Sequence, residues 1–576
     1  MNAAEAKAGE SLSTKASGRT QTLLILACSL VSVPLVLNKD LYWDDWSLFW
    51  IYWVEGPSSL FQLYEEVRRI GHWPPVAVFL NLGGGYVGVL ARSLAVVCHA
   101  LNAILLYRIL GQMRLTSEIS VWIACLYALS PFYYGRGLLL LAGIDLFLLC
   151  YLLSIWFLSY QRRHFDIMAL LFFVLSMGHE TFLFLEPLRV LFLYDTRKDL
   201  PTVIRTCLPF WIIGITFTIL RGTLLKPYGH WASYNQLFSF DTYYLFRVLV
   251  GTGLFYFRAL WFDLKCAVGF AGWYGMAATL SVCFVAAWLW SLKAEARIGF
   301  PQSGRERAAQ RLAFGLLLLL LGAIPYILIG RSPHPHYLSS RFAVVSVPGA
   351  VVFVTSLIAM LPGRLFRIWV LLAVLAVAGL SSLQITKWYF YESAVKRDLV
   401  MQLYSLTSHY RDRPTRVVME MEPKTSDVML LRRTFSPFDL NVPLNLLRDS
   451  SWPFVFVQDH QWYREVSPDK PLDKHCVISQ EPYLCPSPPV KVRYTLHPDK
   501  SSVVKASFVE LVRSSFETFQ SPPGMGVLTI EDDPLPKGIE PKLSMEDSRM
   551  RPGGINALTI MSISPQFLEQ QFRAGP

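Results

Sequence analysis

Residues 312–330, LAFGLLLLLLGAIPYILIG, form an apolar stretch of nineteen residues without a charged side chain. A helix of about 20 apolar residues crosses the hydrocarbon core of a bilayer, which is about 30 Å thick. The stretch therefore predicts a membrane-spanning helix. The whole chain shares this character, because 53% of its 576 residues are hydrophobic and only 16% are charged. We predict an all-α multipass membrane protein.

The same measure predicts about eleven spans, some of them short enough to need support from neighbouring helices. They are 21–38, 93–111, 118–134, 137–160, 165–178, 181–195, 208–221, 271–292, 312–330, 342–361 and 368–386. One further stretch, 241–263, is rich in aromatic residues but carries Arg247 and Arg258. For that stretch we predict a re-entrant or interfacial segment.

Basic residues between the spans predict the orientation. Short clusters at 162–163, 197–198, 293–311 and 364–367 all fall on one side if the spans alternate in direction. Cytoplasmic loops carry an excess of Lys and Arg, so that side and the N-terminus are predicted to be cytoplasmic and the C-terminus exoplasmic. The formal net charge of +11 is explained in the same way. A nucleic-acid partner is not expected, since the basic residues form no single stripe.

The chain divides into regions by composition. We predict a cytoplasmic tail at 1–20, a membrane module at 21–387 with a first exoplasmic loop at 39–75, a small soluble α/β or β-rich domain at 388–530, and a flexible tail at 531–576. The soluble domain is indicated by the strand-like runs TRVVMEME, PFVFVQD, VKVRYTL and GVLTI between turn residues. Cys476 and Cys485 within it would form a disulfide on the oxidising side of the membrane, or remain two free thiols.

An acidic pair, Asp44 and Asp45, lies in the first loop within YWDDWSLFWIYW at 42–53. Aromatic residues are typical of the membrane interface, and a charged pair at that depth costs free energy unless it is used. Two neighbouring carboxylates raise each other's pKa, which suits one of them to act as a general base. The alternative is an ordinary solvated turn. The following stretch, SSLFQLYEEVRRI at 58–70, has the spacing of an amphipathic helix on the outer surface.

Further candidates lie in later loops on the same predicted side. His179 and Glu180 sit between two short spans, where they would serve an active site or simply cap a helix. Arg341, Arg221 and His336 would bind an anionic headgroup, because a guanidinium binds phosphate bidentately. Their alternative role is snorkelling to the interface.

Several motifs, taken in order, resemble a known enzyme family. The acidic pair is followed by GHWPPVAVFLNL, then by VVCHALNAILLYRIL, and then by SPFYYGRGLLLLAGIDLF, which contains Asp145. These blocks resemble the C-type (GT-C) glycosyltransferases, in particular the transmembrane and tetratricopeptide-repeat O-mannosyltransferases and their bacterial relatives. Where that family has Lys-Glu this chain has His179-Glu180, and SSRFAVV keeps the family's Arg as Arg341. The family's His, Glu and Arg are replaced by Ser130, Gly135 and Gly143.

The resemblance implies a GT-C-like fold and an inverting glycosyltransferase of a bacterial inner (plasma) membrane. Its donor would be a polyprenyl-phosphate-linked sugar, and its acceptor a hydroxyl of a glycan, lipid or protein on the exoplasmic face. Asp44 or Asp45 would be the base, while His179, Glu180 and Asp145 would orient the acceptor. No cofactor is certain, although Asp44, Asp45 and Glu180 offer the oxygens a divalent metal prefers. The alternatives are a lipid-linked-sugar flippase or polysaccharide transporter, and a noncatalytic scaffold.

Overall fold

The computed structural model describes most of the first 407 residues and scattered segments beyond them. The described ranges are 21–38, 40–42, 44–83, 86–117, 119–129, 139–160, 162–197, 199–228, 242–292, 305–328, 339–407, 415–421, 440–441, 443–445, 455–459, 475–477, 482–484, 490–496, 508–516 and 526–530. The predicted tails at 1–20 and 531–576 lie outside them.

Helices dominate the described part of the chain. The first seven are α1 (Gln21–Val36), α2 (Asp44–Trp50), α3 (Pro57–Glu66), α4 (Trp73–Gly83), α5 (Val87–Gln112), α6 (Ser120–Leu129) and α7 (Leu139–Phe157). They are followed by α8 (Arg163–Ser176), α9 (Glu186–Arg197), α10 (Leu200–Gly222), α11 (Thr242–Leu292), α12 (Arg305–Leu328), α13 (Val347–Met360) and α14 (Arg364–Thr407). Each predicted span overlaps one of these helices.

Seven helices of the described ranges are long and apolar enough to cross a membrane. They are α5, α7, α10, α11, α12 and α14, and α13 together with the 3₁₀ turn before it (Ala343–Met360). The other four predicted spans correspond to α1, α6, α8 and α9, which are shorter as described. The helical membrane-protein class therefore agrees with the prediction, whereas the number of eleven crossings is not confirmed.

Helix α11 contains the aromatic-rich stretch that was predicted to be re-entrant or interfacial. Residues 242–263 are helical and lead into the predicted span 271–292, and the backbone departs from helical geometry at Gly272. The backbone of Gly272 has a φ of 71°, a conformation that costs glycine little. The range Leu249–Ser291 contains a window apolar enough to cross a membrane. A re-entrant or interfacial position of 242–263 stays a prediction.

The first loop is a folded unit. Its aromatic residues Trp46, Phe49 and Trp50 are 3–5% exposed and pack with Leu60 and Tyr64 of α3. This differs from the interfacial belt that the sequence predicted, because these rings face protein. The amphipathic helix is present as predicted. It begins at Pro57 and ends at Glu66.

The C-terminal region contains a mixed sheet. Its strands are β1 (Thr415–Met421), β2 (Val455–Asp459), β5 (Val490–Leu496) and β6 (Gly526–Ile530), in the order β2-β1-β5-β6, and a separate hairpin pairs β3 (His475–Val477) with β4 (Pro482–Leu484). Strand β1 is parallel to β2 and β5, and β6 is antiparallel to β5. The four predicted strand-like runs coincide with β1, β2, β5 and β6. The side chain of Cys476 and all of Cys485 lie outside the described residues, so their predicted disulfide stays a prediction.

Helix α14 joins the two regions. Its 44 residues span about 66 Å, roughly twice the thickness of a hydrocarbon core. The predicted boundary at 387/388 falls inside this helix. Beyond it, Phe390, Val395 and Leu403 are buried together with Val417 of β1 and Tyr494 of β5. The second half of α14 thus forms the core of the sheet region, with α15 (Phe508–Phe516) against it.

Candidate functional site

The predicted site residues with described side chains gather mainly where the loops meet, at one end of the helical bundle. We call this region the loop end and define it by residues 38–83, 177–185, 221–228 and 339–346. Two backbone contacts tie it together. Tyr228 N–H donates to Glu66 O at 3.0 Å, and the segment Ser339–Ser346 packs against Glu180–Leu185.

Asp45 is buried at the start of α2. Its Oδ2 accepts a hydrogen bond from Leu139 N–H at 2.9 Å, with a longer contact of 3.4 Å from Tyr42 N–H. Leu139 is the first residue of α7, and the N–H groups of a first helical turn lack partners within the helix. A side-chain oxygen at this position provides a partner for one of these N–H groups. Asp44 lies in α2 as well, but its side chain is not described.

A buried ionic cluster precedes the acidic pair. Asp40 Oδ2 lies 2.8 Å from Lys396 Nζ of α14, and both side chains are at most 2% exposed. Arg92 of α5 donates to the carbonyl oxygens of Asn38 and Asp40. None of these three charged residues was predicted. Arg92 was detectable as a charge within a long apolar helix, whereas Lys396 gave no signal because it falls in the tail by composition.

His179 has a histidine neighbour that sequence reasoning missed. The ring centroids of His179 and His72 lie 5.7 Å apart, and both side chains are 5% exposed. His179 Nδ1 is 2.7 Å from Thr181 Oγ1, and His72 packs edge-on against Phe147 of α7. Their loops approach closely, since a Cβ at Gly71 would lie 2.9 Å from the Cα of Gly178. The backbone of Glu180 follows His179, but its side chain is outside the description.

Asp145 lies further inside the bundle, six residues or about 9 Å along α7 from Leu139. Its Oδ1 is 3.6 Å from His99 Nδ1, and its backbone oxygen accepts from Asn102 Nδ2 at 3.0 Å. His99 Nε2 lies 3.1 Å from the carbonyl oxygens of Tyr127 and Ala128. Those oxygens only accept, so Nε2 carries a proton. The structure therefore pairs Asp145 with α5 and not with His179.

The predicted phosphate ligands are placed only in part. Arg221, in the last turn of α10, donates to Leu225 O at 2.8 Å and contacts Val67 O at 3.4–3.5 Å. It thereby joins the end of α10 to the end of α3. Arg341 lies in Ser339–Ser346, which reaches the loop end, but its side chain is not described. His336 lies outside the described residues.

A further buried carboxylate, Asp263, lies in α11 and was also missed. Ser381 of α14 donates a hydrogen bond to its Oδ1. Asp263 borders a cavity of about 320 Å³ between the two helices, lined mainly by apolar residues such as Leu260, Leu280 and Val374. An ionisable group inside a membrane-length helix is usually functional.

No metal centre is evident among the described residues, where no three His, Cys, Asp or Glu side chains are placed to hold an ion. The predicted metal ligands Asp44 and Glu180 have side chains outside this description. Seven cysteines of the described ranges form no disulfide with one another: Cys28, Cys98, Cys125, Cys150, Cys207, Cys266 and Cys283. Comparison with protein-family models, with curated proteins and with solved structures gives no match to this chain.

Proposed function

We propose that the chain is an inverting membrane glycosyltransferase that moves a sugar from a polyprenyl-phosphate donor to an acceptor hydroxyl. The observation that carries the proposal is the position of Asp45. A buried carboxylate, held by the N-terminus of α7, lies in the same folded unit as an amphipathic helix. Such a helix lies at the surface of a membrane, where a lipid-linked donor presents its headgroup.

The reaction is a single displacement. Asp44 or Asp45 accepts the proton of the acceptor hydroxyl while the oxygen of that hydroxyl bonds to the anomeric carbon. The bond from that carbon to the phosphate oxygen breaks, and polyprenyl phosphate leaves with the electron pair. The hydrogen bond from Leu139 orients the Asp45 carboxylate. A catalytic group that is already oriented lowers the activation free energy of the reaction, because the entropy of positioning it is lost in advance.

Cationic and imidazole groups of the loop end support the same proposal. Arg221 contacts the end of the amphipathic helix, and the segment of Arg341 packs against the segment that follows His179. In the proposed mechanism these arginines stabilise the phosphate, on which negative charge develops as it leaves. His179, with His72 beside it, binds the acceptor. Asp145, paired with His99, is assigned a supporting role for α5 and α7.

A second candidate, a lipid-linked-sugar flippase or polysaccharide transporter, is favoured by a different observation. The His99–Asp145 pair and Asp263 are ionisable groups buried in membrane-length helices. Transport pathways and proton relays use groups of this kind. The two candidates differ in one measurable respect, because only the enzyme cleaves the bond between sugar and phosphate.

The test is release of polyprenyl phosphate from a panel of polyprenyl-phosphate sugars by purified protein with acceptors supplied. Asp44→Asn and Asp45→Asn are compared with wild type. We expect at least one of them to lower turnover about 100-fold or more, because general acid–base catalysis typically contributes about 10²- to 10⁴-fold. Release that is equal in both variants and wild type would remove the acidic pair from the chemistry. Binding without release by wild type would favour the transporter.

Asp199→Asn is the matched control. Asp199 also caps a helix, since its side chain accepts from Thr202 N–H at the start of α10, but it is exposed and lies at the end of α10 opposite to Arg221. We expect it to keep wild-type turnover. A loss of turnover in this variant equal to that of Asp45→Asn would mean that helix capping alone explains the effect.

A further inference from the structure

Lys396 makes an unusual set of contacts for a residue in the second half of α14. Besides its ion pair with Asp40, its ammonium group donates to Leu41 O. It also lies 4.5 Å from the ring centroid of Tyr42 and 5.6 Å from that of Trp46. These four partners are all in the segment 40–46, which contains the acidic pair. The Lys396 ammonium group thus contacts this segment before Tyr42, at Asp40 and Leu41, and after it, at Trp46.

A second cation, which lies in α5 and not in α14, contacts the same segment. Arg92 of α5 donates to the carbonyl oxygens of Asn38 and Asp40, and its guanidinium carbon lies 5.4 Å from the ring centroid of Tyr42. Tyr42 in turn donates from its hydroxyl to Tyr389 O at 2.6 Å. The segment before Asp45 is therefore fixed between α5 and α14.

This arrangement concerns the acidic pair directly. Tyr42 lies three residues before Asp45, and the Tyr42 N–H contacts the Asp45 carboxylate at 3.4 Å. A buried ion pair is a costly way to hold a loop, since both charges lose their hydration. Its geometry is specific, however, and a displacement of about 1 Å in a reacting group can cost about 100-fold in rate.

We propose that Lys396 is a positioning residue for the acidic pair, acting through its ion pair with Asp40 and its contact with Leu41 O. The inference rests on the proposed function for its effect on turnover. Lys396 does not touch the donor or the acceptor. It fixes segment 40–46 so that Asp44 and Asp45 enter α2 in one position.

The same part of α14 also contacts the sheet region. Two residues after Lys396, Asp398 accepts from Tyr494 Oη of β5 at 2.8 Å, and Gln402 Oε1 accepts from Leu528 N–H of β6, also at 2.8 Å. Lys396 and Asp398 thus connect the acidic segment and the sheet through one rigid element. The sheet region braces the acidic pair by way of α14.

The experiment compares wild type with Lys396→Met and with the double variant Asp40→Asn/Lys396→Met. Lys396→Met leaves Asp40 as a buried charge without its ion-pair partner, which is destabilising in itself. The double variant removes both charges, so it regains thermal stability while still lacking the ion pair. We expect both variants to lose about 10- to 100-fold in kcat with the donor KM within about 3-fold of wild type. Recovery of kcat in the double variant would overturn the proposal, because the loss would then reflect stability alone.

Lys265→Met is the matched control, since Lys265 is an exposed lysine that also lies near a ring, 5.4 Å from the centroid of Trp261. It should keep wild-type kcat. A second measurement, hydrogen–deuterium exchange of peptides covering 38–50, separates the two proposals. We expect faster exchange there in both Lys396 variants and not in Lys265→Met. Unchanged exchange would overturn the positioning role. Faster exchange together with an inactive wild type would uphold that role and overturn the glycosyltransferase.

Discussion

Tyr42, three residues before Asp45, is fully buried together with its hydroxyl group. The hydroxyl accepts from Asn38 Nδ2 at 2.7 Å and donates to Tyr389 O at 2.6 Å. Burial raises the pKa of Tyr42 well above its usual value because the phenolate would lose its hydration, and Asp40 adds to this rise while Arg92 opposes it. The neutral hydroxyl is therefore the form that the fold requires.

Tyr42→Phe removes that hydroxyl and leaves Asn38 Nδ2 and Tyr389 O without this partner. We expect a loss of about 1–3 kcal/mol in the free energy of unfolding, seen as a lower melting temperature in detergent. The pH dependence has a definite sign. Above pH ~10 unfolded chains lose the Tyr42 proton and folded chains keep it, so stability falls as pH rises, by up to about 1.4 kcal/mol per unit from this group.

The variant should therefore show a smaller alkaline loss of stability than wild type does. Tyr274→Phe serves as control because the Tyr274 side chain is 94% exposed. Melting temperatures from pH 8 to pH 11 for the three proteins provide the measurement. Equal alkaline slopes for wild type and Tyr42→Phe would contradict the buried-hydroxyl explanation.

At the scale of elements, α12 and α13 pack with their backbones in close contact at glycines. A Cβ on Gly349 would lie 2.7 Å from the carbonyl carbon of Leu318, and one on Gly322 would lie 2.7 Å from the Cα of Ser346. Small residues of this kind allow membrane helices to approach closely, which increases van der Waals contact. Backbone atoms cannot move aside as a flexible side chain can.

Gly349→Ala should therefore separate these helices and cost about 1–3 kcal/mol of stability, the usual range for overpacking. Gly253→Ala is the opposite case, because Gly253 lies inside α11 and its added Cβ would meet no atom within 4 Å. That change should be neutral or stabilising by up to about 1 kcal/mol. Thermal unfolding in detergent compares the two. A Gly349→Ala protein as stable as Gly253→Ala would show that the α12–α13 contact is looser than described.

Element prediction from sequence succeeded where the signal was local. Apolar runs marked the helices, and the alternation in VKVRYTL and its three companions marked strands of the sheet. Prediction of the residues at which helices begin and end was less successful. The predicted span 368–386 covers only part of α14, which begins at Arg364 and ends at Thr407.

At the scale of the whole molecule, the loop end and the basic loops are separated along the helices. Arg114 N–H donates to the Asp195 carboxylate, so the ends of α5 and α9 lie side by side, as alternate threading requires for those two helices. We still predict, from the distribution of Lys and Arg, that this end is cytoplasmic and that the loop end is exoplasmic.

Cysteine labelling tests that orientation in a background lacking the native cysteines. Ser58→Cys places an exposed thiol on α3, and Arg163→Cys places one at the start of α8. In intact expressing cells a membrane-impermeant maleimide should label the first and not the second, and permeabilised cells should label both. The reverse pattern would put the acidic pair in the cytoplasm, where an exoplasmic acceptor could not reach it.

The sequence by itself determined where the apolar helices and the strand-like runs lie, and that Asp45 and His179 fall between apolar helices. Those features depend on neighbours within a turn or two, so local pattern reveals them. Only the tertiary structure decided that Lys396 reaches Asp40 across 356 positions, that His72 lies beside His179, and that Asp145 pairs with His99. Contacts of this kind depend on how helices pack against one another. A buried charge is stable only when it is paired, and its partner is distant in sequence when packing brings two distant helices together.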